Sequence, residues 1–306
     1  MTLLKNINVN IMLAVVGIFA VTVFLFMLQS HSVPVDQVSE EVTVEENGNE
    51  ASKSENGNHD ETETNTNDNG SEENESNGSD IEEANENTNG QEYLWGLDSA
   101  DRVDQSFYDC FVTNFGEPVA FGRYLETKDG VSYGLSEEEV AFLQDKGIKI
   151  IPIYNHFIDG TTYEKGVQEA ETAITYAEAI GVTEGVYIFA NVEPEYPIDA
   201  DFLLGWFETI QSSQYKPGVY GIFGEGRELT AAFERALGNN EAIGEEMAVW
   251  HSSEPYIGIT TKENKPEFAP DVPDFVNVSI WQYGIDAETC NIDTNLINSE
   301  IMDSLW

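Results

Sequence analysis

Eight short runs of β-branched and aromatic residues recur through residues 93–306, and amphipathic stretches separate the first five of them. Few folds accommodate that alternation. The runs at 93–98, 119–123, 149–154, 185–192, 217–222, 247–250, 276–281 and 291–293 read as strands. Helices are predicted over 101–115, 136–146, 165–180, 197–212 and 226–237. Ser136 and Glu139 have capping-box spacing, and Gly147 and Gly181 stand where helices end. After the fifth helix the remaining strands are joined by loops. Repeated strand–helix units favour a parallel sheet with right-handed crossovers. Eight strands in about 210 residues fit a closed, partly stripped β/α barrel better than an open doubly wound sheet. No glycine-rich nucleotide loop follows any strand, which also counts against the open sheet and against a nucleotide cofactor.

The chain ahead of residue 93 obeys different physics. Residues 11–28 carry no charge, and Thr22 is their only polar member. As a helix they span roughly 27 Å, close to the hydrocarbon thickness of a bilayer. The run leaves through Gln29-Ser30-His31-Ser32 without an Ala-x-Ala site, so an uncleaved anchor is favoured over a signal peptide whose removal would release a secreted form. Lys5 is the only basic residue before it, which places 1–10 in the cytoplasm and the C-terminal domain outside a single-pass membrane protein. Residues 29–92 are rich in Glu, Asn, Ser, Thr and Asp and nearly devoid of large apolar side chains beyond Glu45. They are expected to form a disordered, self-repelling tether. With 57 acidic against 13 basic residues and a net charge of −44, the chain is a poor partner for nucleic acid.

On a barrel, function sits at the C-terminal ends of the strands. The residues expected at that rim are Asp98, Arg123, Asn155, His156, Glu193, Tyr220, His251, Ser252, Gln282, Tyr283 and Asp293, with Tyr154, Asn191 and Trp281 beside them. Each has a bland alternative: Asp98 as the cap of the next helix, Glu193 as a solvated loop carboxylate, Trp281 as core, and the two histidines as isolated side chains. Cys110 and Cys290 are too few and too far apart for a zinc site, and no metal or other cofactor is expected. No Gly-x-Ser-x-Gly elbow is present.

Gly96-Leu97-Asp98, Val192-Glu193 at a strand end, and Trp281-Gln282-Tyr283 followed by Asp293-Thr294-Asn295 resemble the Chalaropsis-type lysozymes, family 25 of the glycoside hydrolases. The opening Gly-Leu-Asp-Ser-Ala-Asp is closer still to a related bacterial glycoside-hydrolase-like domain, domain of unknown function 1906. The resemblance covers about 93–300 and implies a muramidase-like site acting on cell-wall glycan. In it Glu193 is the proton donor, Asp98 and Asp293 orient and stabilise charge, and Trp281 and Tyr283 form an aromatic wall for sugar rings. Arg123, Tyr154, His156, Tyr220, His251 and Gln282 complete the expected substrate contacts. One position departs from the family's Asp-x-Glu pair, because its aspartate is here Asn191. An amide cannot carry negative charge. Either Asn191 positions a substrate acetamido group whose oxygen is the nucleophile, or the barrel is a catalytically silent glycan-binding or scaffold module. A Cys110–Cys290 disulfide is expected at the N-terminal, non-catalytic face, closing the barrel outside the cell.

Overall fold

The computed structural model describes residues 91–306 and the backbone of a two-residue strand, Asn85–Glu86. The membrane segment expected at 11–28 and nearly all of the acidic tether lie outside the described residues. Among the described residues no helix is long and apolar enough to cross a membrane.

The barrel strands are β1 (Glu92–Asp98), β2 (Ala120–Tyr124), β3 (Lys149–Tyr154), β4 (Tyr187–Asn191), β5 (Lys216–Gly221), β6 (Ala248–Ser252), β7 (Val278–Gly284) and β8 (Asp293–Asn298). They hydrogen-bond in sequence order, and β8 pairs back onto β1 to close the ring. The helices α1 (Gln105–Phe115), α2 (Glu137–Asp145), α3 (Tyr163–Ile180), α4 (Ala200–Gln211) and α5 (Glu228–Asn239) follow the first five strands. A short extra helix, α6 (Ala242–Glu246), precedes β6 and was not expected from the sequence.

The all-parallel expectation fails at one strand. β1 to β7 run parallel, but β8 is antiparallel to both neighbours. Its connection from β7 spans only 285–292, and a parallel crossover needs a dozen or more residues. The chain therefore turns back, and the first residue of β8, not its last, reaches the rim where β1 ends. Asp98 and Asp293 are register partners.

Local chemistry sets the helix ends. The Asp104, Ser136, Thr162 and Asp199 side chains each accept a first-turn N–H. Gly181 closes α3 with φ 86°, a left-handed value that suits glycine. α3 and α4 touch backbone to backbone through Gly166 and Gly205. A Cβ on Gly166 would stand 2.2 Å from the Phe202 carbonyl oxygen.

Side chains alternate across the barrel wall with period two. Ala120, Ile151, Ile153, Phe189, Ala248, Trp250, Ile280 and Ile297 fill the interior. Trp95, Leu97, Phe121, Ile150, Ile188, Val219, Val249 and Leu296 pack outward into a larger cluster with the helices. Ile301 and Leu305 join the interior cluster, and the Trp306 backbone pairs with Ile150 in both directions.

Candidate active site

The same alternation sorts the expected site residues. With Asp98 pointing inward at the end of β1, inward positions elsewhere include Tyr124, Asn191, Tyr220, Ser252, Gln282 and Asn295. Asp98, Tyr124, Glu193, Tyr220, Ser252, Gln282 and Asp293 line one cavity of about 360 Å³, walled also by Val192, Pro194, Ile222 and Ile285. A second cavity of about 270 Å³ shares Val192, Glu193, Pro194 and Ile222 with the first. It continues between the loops after β4 and β5, past Tyr196, Ile198, Arg227 and Leu229. Glu193 therefore stands on the seam between two compartments.

Gln282 organises the floor of the larger cavity. Its Nε2 donates to Asp98 Oδ2 at 2.9 Å and to Asp293 Oδ2 at 3.0 Å. Its Oε1 accepts from the hydroxyls of Tyr220 at 2.8 Å and Ser252 at 2.6 Å, which fixes the sense of the amide. Asp98 Oδ2 also accepts from Asn295 Nδ2 at 2.7 Å, and Asn295 Oδ1 accepts from Trp250 Nε1 at 2.9 Å. Gly122 makes room for this stack, since a Cβ there would stand 2.6 Å from the Trp250 ring and 2.7 Å from Asp98 Cβ.

Burial raises both aspartates. Asp98 is pushed up to about 6, against the pull of Asn295, Gln282 and Arg123. Asp293 rises further, to about 8, because the Asp98 charge adds to burial and outweighs the Asp286 N–H that binds its Oδ1 at 2.7 Å. Tyr124 and Tyr220 are raised as well, by burial first and then by the Asp98 and Glu193 charges, so both phenols stay protonated donors.

Asn191 has a different place from the one expected. It is 1 % exposed and is not part of either cavity wall. Its Nδ2 donates to Glu193 Oε1 at 2.8 Å, while its Oδ1 is buried without a partner. It supports Glu193 from beneath and does not present itself to a ligand.

Five expected substrate contacts point outward instead. Arg123 is fully buried: Nε donates to Glu139 Oε1 at 2.6 Å, and the other nitrogens donate to the carbonyls of Ser99 and Tyr133. Glu139, the acid of the expected capping box, spends its carboxylate on Arg123 and on the Val103 N–H. Tyr154 lies against Trp206 and donates to Glu169 at 2.5 Å. His251 is buried, its Nδ1 accepting from the Phe223 N–H and its Nε2 facing the Glu254 carbonyl, and burial pushes its pKa down. Trp281 packs on Phe268 and Tyr283, and the Tyr283 hydroxyl meets Trp95 Nε1 and Thr260. These two aromatics are core, because neighbours of an inward Gln282 must face out. His156 is exposed on the loop after β3, near Glu169 and outside both cavity walls.

Ser252, expected at the rim beside His251, and Asn295, expected in the motif after Asp293, both point inward; Tyr124 had no place among the expected residues. Counting in twos from Asp98 through the strand register would have found it. Cys110 and Cys290 form a disulfide. It lies on the rim side and not at the opposite end, because β8 is antiparallel: Cys290 is three residues before Asp293, and Cys110 adjoins the rim loop residues Asp101, Arg102 and Tyr133.

The molecule is thus a closed β/α barrel with carboxyls from several strand ends gathered at its mouth. Residues 118–263 match the family model of the Rv2525c-like, glycoside hydrolase-like domain, and the chain belongs to that family. Among solved structures it is similar to an uncharacterized protein of B. stearothermophilus, at 34% identity, covering 70% of this chain and 100% of that one with a TM-score of 0.67. It is also similar to the Mycobacterium tuberculosis Tat-secreted protein Rv2525c in complex with L-tartrate (15% identity, 67% and 95% covered, TM-score 0.45). A family 25 glycosyl hydrolase from Bacillus anthracis matches at 13% identity, with 74% and 98% covered and a TM-score of 0.44. No curated protein matches the chain.

Proposed function

We propose that the protein is a glycoside hydrolase acting on amino-sugar linkages of cell-wall peptidoglycan. Residues 11–28 would anchor it, and the acidic tether would hold the barrel outside the membrane. One observation carries the enzymatic reading: Asp98, Glu193 and Asp293, from three separate strand ends, line a single cavity. Glycoside hydrolysis needs one carboxyl group that is protonated and a second group that is charged or nucleophilic. A cavity holding three carboxyls in unlike surroundings can supply both. The glycan class is supported by the resemblance of the motifs at Asp98, Glu193 and Asp293 to those of the Chalaropsis-type lysozymes. The two compartments meeting at Glu193 suit a substrate with a unit on each side of the bond to be cut.

A second reading is a silent glycan-binding module, and Asn191 favours it, since an amide stands where the related lysozymes keep a carboxylate. Release of reducing ends from purified peptidoglycan separates the two. The wild-type protein is expected to release them, and Glu193→Gln to do so at least about 100-fold more slowly. Binding without release from several wall types would establish the module instead.

A further inference from the structure

We propose that Tyr124 makes this site select N-acetylated sugars, its phenol hydroxyl donating to the carbonyl oxygen of the substrate's acetamido group. The assignment rests on the glycan reading above, and its argument begins with the donors around the larger cavity. Gln282 spends both amide hydrogens on Asp98 and Asp293. The Tyr220 and Ser252 hydroxyls both turn their protons to Gln282 Oε1. Two hydroxyls on the wall remain, Tyr124 on its strand and Ser253 on the loop beyond β6. Among the described residues, the Tyr124 hydroxyl donates to no protein group.

What the cavity offers a ligand is therefore acceptor-rich: three carboxyl groups against few uncommitted side-chain donors. Sugar hydroxyls meet such a wall easily, because each can donate to a carboxylate. An acetamido group also brings an N–H, which a carboxylate oxygen can receive. Its carbonyl oxygen differs, since it can only accept and must find a donor. A strand-borne hydroxyl in an acceptor-rich pocket thus picks out that oxygen from the other polar atoms of the sugar. Asn191, expected to orient the same group, cannot do so. Its Nδ2 is committed to Glu193, and it lies outside both cavity walls.

Placement suits the task. Gly122 is the register partner of Asp98, and Tyr124 is the next inward position along β2, roughly 6.6 Å nearer the mouth. Its ring packs against the interior cluster, which anchors the phenol above the Gln282 floor. Burial first, and then the charges of Asp98, Glu193 and Asp293, keep the hydroxyl protonated, so it stays a donor. A site built to hydrogen-bond one group of its substrate rejects the analogue lacking that group, because a buried polar partner is left unpaired. Ser253 stands on the other side of the mouth, since β2 and β6 are four apart in the closed ring of eight. The two hydroxyls can therefore be tested separately.

A double-mutant cycle on the full chain tests this, pairing the Tyr124 hydroxyl with the acetyl group of the ligand. The probes are soluble peptidoglycan glycan strands, fully N-acetylated or chemically de-N-acetylated. Calorimetry measures their affinities with and without Tyr124→Phe, in a Glu193→Gln background that leaves the strands uncut. Ammonium groups uncovered by de-acetylation meet the same carboxyls in both proteins, so their attraction cancels in the ratio of preferences. Tyr124→Phe is expected to shrink the preference for acetylated strands about 10-fold, the equivalent of one hydrogen bond. An unchanged preference would overturn the proposal, and so would a loss produced by Ser253→Ala instead. Tyr124→Phe should also keep the urea midpoint, and a lower one would place the hydroxyl in the service of the fold and sink the assignment. Cleavage by the wild type is read separately. Strands bound with a Tyr124-dependent preference but never cut would refute the hydrolase and leave this role standing. Cleavage with a preference indifferent to Tyr124 would do the reverse, and binding of neither strand would refute both.

Discussion

Asp293 opens β8 with one oxygen on the Asp286 N–H and the other on Gln282, and burial together with the Asp98 charge raises its pKa to about 8. An aspartate raised in this way makes the folded state bind protons more readily than the unfolded chain. Its contribution to stability is therefore greatest at low pH and declines as pH rises from the ordinary carboxylate range through the folded value. Asp98 acts in the same direction over a narrower range, up to about 6. The free energy of unfolding, measured by urea denaturation between about pH 5 and about pH 8, should fall by up to about 1.4 kcal/mol per pH unit for each group titrating. Asp293→Asn should flatten the upper half of that slope, and an unchanged slope in the variant would remove the link to this residue. Arg123 shows how residue type alone misleads. A cation at a strand end suggested a glycan contact, yet its guanidinium is consumed by Glu139, Ser99 and Tyr133. Removing one partner of a buried pair of this kind leaves an uncompensated charge.

At the scale of elements, the β7–β8 connection matters most. Asp286, Cys290 and Asn291 all have positive φ without being glycine, so the turn that delivers Asp293 is held in conformations L-residues seldom adopt. Three ties hold it: Ser99 Oγ donates to the Asn291 carbonyl, Asn291 Nδ2 donates to Asp101, and Cys290 is bonded to Cys110 on α1. The disulfide joins residues 180 apart in sequence, and removing such a link costs about 2–5 kcal/mol. Replacing both cysteines with alanine should lower the urea midpoint accordingly. Amide hydrogen exchange at 285–293 should rise more than in β3 or β4, because the tie acts on that turn directly. Equal acceleration throughout the barrel would show that the disulfide stabilises only the whole fold.

For the whole molecule, the layout to test is a barrel carried outside the membrane on an acidic tether. Protease added to intact cells should remove the barrel, and complete protection would exclude that arrangement. Much of the fold was legible in the sequence. The strands around Asp98, Tyr154 and Asn191 and the helices after the first five strands follow from hydrophobic period, capping residues such as Ser136, and glycine stops such as Gly181. The convergence of Asp98, Glu193 and Asp293 was also legible, because strand ends of a barrel share one rim. Less legible was which side chain at each strand end turns inward. Trp281 and Tyr283 were assigned to the sugar wall and Tyr124 was passed over, since a shift of one residue exchanges the two faces.

What the sequence determined by itself was therefore the list of elements, their order, and the strand ends at which chemistry could collect, because these depend on local period and local capping. Only the tertiary structure decided the direction of β8, the parity of each strand, the burial of Asn191 beneath Glu193, and the sharing of one Gln282 amide by two carboxyls. Those features depend on which distant residues become neighbours when the ring closes. Asp98 and Asp293 are 195 positions apart in the chain and partners across one strand pair, and their electrostatics exist only once that pair has formed.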